Sequence, residues 1–155
     1  MTARQILRIV GSLVARAGWA PILVFLLHVF ISRVLNGYIL YPPLDIPMHF
    51  FGGVAMAYFL SKSFSAVPEG AIAPPYRPFA EFVFVVSATA TASIVWEFAE
   101  FTSDLMFGTR AQLGLDDTLF DMALGIAGGL SYAVMSWRQR TLGVVAPVYV
   151  NETRE

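Results

Sequence analysis

Cysteine is absent from this 155-residue chain, which removes disulfides, thiolate metal sites and thiol nucleophiles together. Charge is scarce: 14% of residues are Asp, Glu, Lys or Arg, against roughly 25% in soluble domains. Histidine occurs only twice, so acid–base or metal chemistry must rest on carboxylates with one or two imidazoles. A net charge of −1 offers no positive surplus for nucleic acid. What is present is apolar: 57% of residues are hydrophobic and the mean hydropathy is +0.65. Apolar runs of about 20 residues match the hydrocarbon thickness of a bilayer. The composition implies an all-α polytopic membrane protein, one membrane domain over 1–155, in which lipid takes the place of a large core.

In chain order, the segment 3–17 spaces Ile6, Val10, Leu13, Val14 and Ala17 helically, with Arg4, Arg8 and Arg16 between them. That pattern predicts an N-terminal amphipathic helix lying in the membrane interface. The competing reading, a signal peptide ending near Ala15-Arg16-Ala17, suffers from an apolar region cut short by Arg8 and Arg16. A first span is expected over about 19–36, with Trp19 and Tyr38 as interfacial anchors. His28 falls near its middle, where hydrogen bonding to a neighbouring helix is a commoner role than ligation. Arg33, near its end, must snorkel or meet an acid.

Pro42-Pro43 breaks the chain, and Asp45 then stands where a helix N-cap is expected. A second span follows over about 46–62, with Gly52, Gly53, Ala55 and Ala57 allowing close helix approach. The linker 63–78 is rich in Pro and Gly. The third span, about 79–104, has an all-small middle, Ser87 to Ser93, and reads as the central, tightly packed helix. A fourth span is expected over about 117–136, with Gly125 and Gly129 at helix-packing spacing, followed by a tail over 141–155. The four spans form a compact bundle.

The charges then sort themselves. Arg4, Arg8, Arg16, Lys62, Arg77, Arg138 and Arg140 fall on one side of a four-span arrangement, with Arg33 and Arg110 opposite, so the positive-inside bias places both termini in the cytoplasm. Asp45, Glu97, Glu100, Asp104, Asp116, Asp117 and Asp121 fall on the outer side, although no acid was used to build the arrangement. Helical spacing puts Asp45 with His49, Glu97 with Glu100 and Asp104, and Asp117 with Asp121 on shared faces.

Helix capping explains some of these acids. Asp45 and either Asp116 or Asp117 sit where a helix dipole favours a carboxylate. Glu97, Glu100 and Asp104 sit at a helix C-terminus, where it does not. Like charges this close call for protons, arginine or a bound cation. The candidate metal ligands are therefore Asp45, His49, Glu97, Glu100, Asp104, Asp117 and Asp121, and oxygen-rich donors favour Mg, Mn or Ca over Zn or Fe. Glu97, Glu100 and Asp121 are the candidate catalytic groups. Arg33, Arg110 and Gln112 are the candidates to hold an anionic substrate.

The set Asp45-x-x-x-His49-Phe50 with Gly52-Gly53, Trp96-Glu97-x-x-Glu100, Gly114-x-x-Asp117, and Asp121 with Gly125 resembles the YjdF family and its broader VanZ-like relatives, over about 44–129. Two departures stand out: Ile46 occupies a position that is usually basic, and Gln112 lies two residues before Gly114 instead of adjoining a glycine. The resemblance implies a small bacterial inner-membrane protein, helical, with a polar acid-and-histidine centre and a link to the cell envelope. It implies no particular reaction.

Together these readings lead to a membrane-embedded, divalent-metal-dependent hydrolase or transferase acting on a lipid or cell-envelope precursor at the outer face. A small proton- or cation-coupled transporter is the alternative from another class, since intramembrane carboxylates mark ion pathways. A non-catalytic subunit associated with other membrane subunits is the third. The expected partners are the bilayer and a lipid-linked substrate.

Overall fold

The structure, a computed structural model, describes residues 2–145. Its regular elements are all helical: α1 (Ala3–Ala17), α2 (Trp19–Arg33), α3 (Gly37–Leu40), α4 (Asp45–Phe64), α5 (Arg77–Phe107) and α6 (Leu115–Val145), with short 3-10 turns before α4 and α5. Residues 146–155 lie outside the described region. The tail expected over 141–155 is thus seen only to Val145, where it continues α6.

Thr2 opens α1 with a capping box: its hydroxyl accepts from the Gln5 amide at 3.3 Å, and the Gln5 side chain accepts from the Thr2 amide at 2.8 Å. Leu7, Val10 and Val14 remain exposed along this helix. The first expected span, 19–36, is shorter than its hydropathy suggests. Helix α2 stops at Arg33 because Asn36 turns left-handed, at φ 50°, and α3 restarts the chain in a new direction. Fifteen residues rise only about 22 Å, short of a hydrocarbon core of roughly 30 Å.

Among the described residues two helices, Pro74–Phe107 and Leu115–Leu142, are long and apolar enough to cross a membrane, and a third span results if Val10–Ala17 and Trp19–Arg33, bent 62° at Gly18, count as one. Helix α4 is long enough at 20 residues but too polar to qualify with them. Its polarity has a structural origin, because α4, not α5, is the central helix. It packs against α1, α2, α5 and α6, so its Gly, Ser and His positions face protein. In α5, by contrast, Ser87 and Thr91 of the small-residue stretch are exposed.

The α4–α6 seam is as close as two backbones allow. A Cβ on Gly53 would overlap the Gly125 carbonyl, and one on Gly128 would overlap the Phe50 carbonyl. On the neighbouring face of α6, Gly125 and Gly129 receive Ser93 and Thr89 of α5. Small residues thus bring three helices together where lipid supplies no hydrophobic drive. Away from that seam, Ala57, Val85 and Ala133 form the apolar core, flanked by Leu60, Phe82, Val86 and Tyr132.

The two ends of the bundle differ in charge. Lys62, Arg77, Arg138 and Arg140 lie at the end where α4 and α6 finish and α5 begins. There the Arg77 guanidinium donates to the carbonyls of Val67 at 2.7 Å and Pro68 at 3.2 Å, tying the linker to α5. Asp45, His49, Glu97, Glu100 and Asp121 lie at the opposite end.

Candidate functional site

Three helix ends build the acidic site. Pro42 and Pro43 form a 3-10 turn that delivers an already helical backbone to Asp45 (φ −64°, ψ −42°). An N-cap needs extended backbone, so Asp45 is not the cap that its position suggests. Leu44 occupies that place without a side-chain bond, and Asp45 reaches one turn forward to His49. Its place in the first turn of α4 is still favoured by the helix dipole.

His49 is the hub. Its Nε2 lies 3.4 Å from Asp45 Oδ1 and 3.8 Å from Asp121 Oδ2, and its Nδ1 lies 3.9 Å from Glu97 Oε1. Two groups of donor atoms, Asp45–His49–Asp121 and His49–Glu97–Glu100, each fall within 4.8 Å of one another. One imidazole therefore presents Nε2 to Asp45 and Asp121 and Nδ1 to Glu97. Glu97, Glu100 and Asp121 are buried.

The hydrogen bonding around this hub is incomplete at one atom. Glu97 Oε2 accepts from the Gln112 side chain at 3.4 Å, and the same amide donates to the Glu97 carbonyl at 3.1 Å. Glu97 Oε1, facing His49, is buried without a hydrogen-bond partner. Glu100 Oε1 accepts from the Trp96 indole at 2.9 Å. The Trp96 ring stands edge-on to His28, 5.1 Å between centroids, and His28 Nδ1 is 2.9 Å from the Tyr38 hydroxyl. Burial first, then the charges of Asp45 and Glu100, push the Tyr38 phenol above its ordinary pKa, so it stays protonated.

The remaining residues singled out by sequence separate from this hub. Asp104, on the Glu97 face by spacing, instead holds the turn after α5: it accepts from the Thr109 hydroxyl and from the amides of Ala111 at 2.9 Å and Gln112 at 3.0 Å. Gly108 makes that turn in the left-handed region, at φ 63°. Asp117 accepts from the Leu113 amide at 3.1 Å, while Asp116 is exposed. Gln112 serves Glu97. Arg33 and Arg110 are exposed, and neither pairs with an acid among the described residues.

Residues not singled out for the site also matter. Trp96 and Tyr38 complete the surroundings of Glu100 and His28, and the i, i+4 spacing of Trp96 and Glu100 was the available signal. At the other end, Glu81 of α5 is buried, bonded to Arg140 at 2.8 Å and to the Ser61 hydroxyl at 2.7 Å.

Comparison with known proteins agrees with the membrane setting. A Thermotoga maritima protein described as uncharacterized is 28% identical over 123 residues, which cover 74% of this chain and 58% of that protein. The chain therefore spans somewhat over half of that relative's length. No solved structure matches. A family model described as "Predicted membrane protein (DUF2238)" matches residues 6–142, and the chain belongs to that family.

Proposed function

We propose that the His49 hub is a divalent-cation centre in a membrane-embedded hydrolase or transferase acting on a lipid or cell-envelope precursor. The observation that carries this reading is Glu97 Oε1, buried, 3.9 Å from His49 Nδ1 and without a hydrogen-bond partner among the described residues. A buried carboxylate oxygen without a donor costs free energy, and four carboxylates around one imidazole need a neutralising partner. A cation meets both needs. Oxygen donors with a single imidazole suit Mg, Mn or Ca before Zn or Fe.

Asp45, His49 and Asp121 are one ligand set, and His49, Glu97 and Glu100 the other. Because the two sets share His49, a cation on one ring nitrogen leaves the other nitrogen facing a carboxylate that orients the ring. A bound divalent ion supplies an acidified water and polarises a phosphoryl or carbonyl oxygen. Glu97 and Glu100 are placed to take a proton. Asp104 and Asp117, engaged with the turns on either side, position the site and do not ligate. Gln112 fixes the Glu97 carboxylate, and Arg33 and Arg110 are free to meet an anionic headgroup.

This reading carries a four-span bundle in which α4 crosses inside the protein and α1 lies in the interface with Leu7, Val10 and Val14 toward lipid. Both termini are cytoplasmic, by the positive-inside bias, and the hub faces outward. The VanZ-like resemblance over 44–129 supports an envelope role in the bacterial inner membrane. The test is elemental analysis of detergent-purified wild type beside Glu97→Gln and Asp121→Asn. About one or two equivalents of a divalent metal are expected in the wild type, with both substitutions lowering affinity by 10- to 100-fold or more. No metal in any sample, even after divalent-ion dialysis, would overturn the proposal.

A further inference from the structure

Beside the hub an apolar cavity of about 360 Å³ lies between α2, α4, α5 and α6. Its polar end is formed by His28, His49 and Trp96, and its walls run along α4 to Met56 and along α5 to Thr89. From His49 to Met56 the helix rises about 10 Å, a third of a hydrocarbon core of roughly 30 Å. The cavity thus leads from the carboxylates toward the middle of the membrane.

Its side between α2 and α5 is thinly packed. Helix α2 packs on α4 and meets α5 through Phe25 and His28, set edge-on against Trp96 with centroids 6.1 and 5.1 Å apart. Beyond that contact, Val24 of α2 and Ala92 of α5 both line the cavity. The outer surfaces that flank it, with Leu23 on one side and Val95 on the other, are exposed and apolar. Apolar walls do not hold ordered water, and in a bilayer the medium beyond that thin side is acyl chain. Met48 and Met56, unbranched and adaptable, suit an occupant without a fixed shape.

We propose that this cavity receives a hydrocarbon chain of the lipid substrate, inserted from the bilayer between α2 and α5, with the polar head at His49. The inference rests on reading the hub as the functional site, and it names the substrate class as a lipid recognised by tail as well as head. Gly52 provides the means to test it. A Cβ there meets only Val24 Cγ1, at 3.9 Å, so a side chain can be introduced on this wall of the cavity.

The probe is a phospholipid carrying a diazirine at the end of one acyl chain, in nanodiscs with the full-length protein, with adducts mapped by peptide mass spectrometry. Adducts are expected at Val24, Met56 and Thr89. Gly52→Leu should lower them by about tenfold, as should Ala92→Leu on the opposite wall, through overpacking. Val95→Leu, on the lipid-facing surface, should change nothing. Adducts confined to outward residues such as Leu23 and Leu119, or cavity adducts indifferent to both filling substitutions, would overturn the inference. The same labelling of Glu97→Gln with chelator separates the two readings. Cavity adducts without any metal binding in the wild type would sink the cation centre alone, and metal binding without cavity adducts would sink the lipid slot alone.

Discussion

Each end of the bundle buries acid, but among the described residues an arginine meets it at one end and a single imidazole at the other. At the α5 start, Glu81 has Arg140 at 2.8 Å and the Ser61 hydroxyl at 2.7 Å. At the α5 finish, Glu97, Glu100, Asp121 and Asp45 gather round one imidazole, and Glu97 Oε1 has no hydrogen-bond partner among the described residues. The first arrangement is complete within the chain, and removing a member leaves a buried charge. The second leaves one buried carboxylate oxygen without a hydrogen-bond donor, which is the opening that the proposed cation would fill. That contrast is what distinguishes the structural ion pair from the proposed cation centre, and acid content alone does not.

The largest expected effect breaks the closed end. Arg140→Met strands the Glu81 carboxylate and should cost about 3 kcal/mol, toward the low end of the range for buried pairs because the arginine is partly exposed. Thermal unfolding in detergent should show it, and pairing the substitution with Glu81→Gln should restore most of the loss. A single Arg140→Met as stable as wild type would remove the distinction between the ends.

Next comes ligand-linked stability at the open end. Divalent ion at a hundredfold excess over its dissociation constant should raise wild-type unfolding free energy by about 2.7 kcal/mol. Glu97→Gln should show little of that gain, whereas Arg140→Met should keep it. Equal responses in both variants would place the ion elsewhere.

The smallest effect has the opposite sign to the first. In chelator, Asp121→Asn removes one of several like charges and should leave stability unchanged or raise it by about 1 kcal/mol. A loss comparable to that of Arg140→Met would mean that Asp121 is a structural acid like Glu81.

Much of this contrast was legible in the sequence, and the residues show where legibility stopped. Spacing of three and four put Asp45 with His49 and Glu97 with Glu100, and the structure brings both pairs to one hub. Spacing of seven also put Asp104 on that face, but the free amides after Gly108 captured it. Periodicity tells which way a side chain points, not which neighbour satisfies it. The same limit explains Asp45, whose capping role depended on a backbone conformation that the Pro42–Leu44 turn does not supply. Glu81 stayed inconspicuous because its partner, Arg140, is distant in sequence and looked like one more interfacial cation.

Helix boundaries followed a similar rule. Hydropathy located α4, α5 and α6 to within a few residues at most ends, yet it ran the first span past Arg33, because a left-handed Asn36 is a local backbone event with no hydropathic trace. It also made α5 look central through its small residues. The structure gives that place to α4, whose Gly53 meets Gly125 backbone to backbone.

The most direct test of the cation centre is anomalous diffraction from crystals of the wild-type protein grown with Mn²⁺. The account predicts a peak about 2.0–2.6 Å from a His49 ring nitrogen and from carboxylate oxygens of Asp45 and Asp121 or of Glu97 and Glu100. A well-ordered hub with no peak, or a peak only at exposed acids such as Asp116, would contradict it.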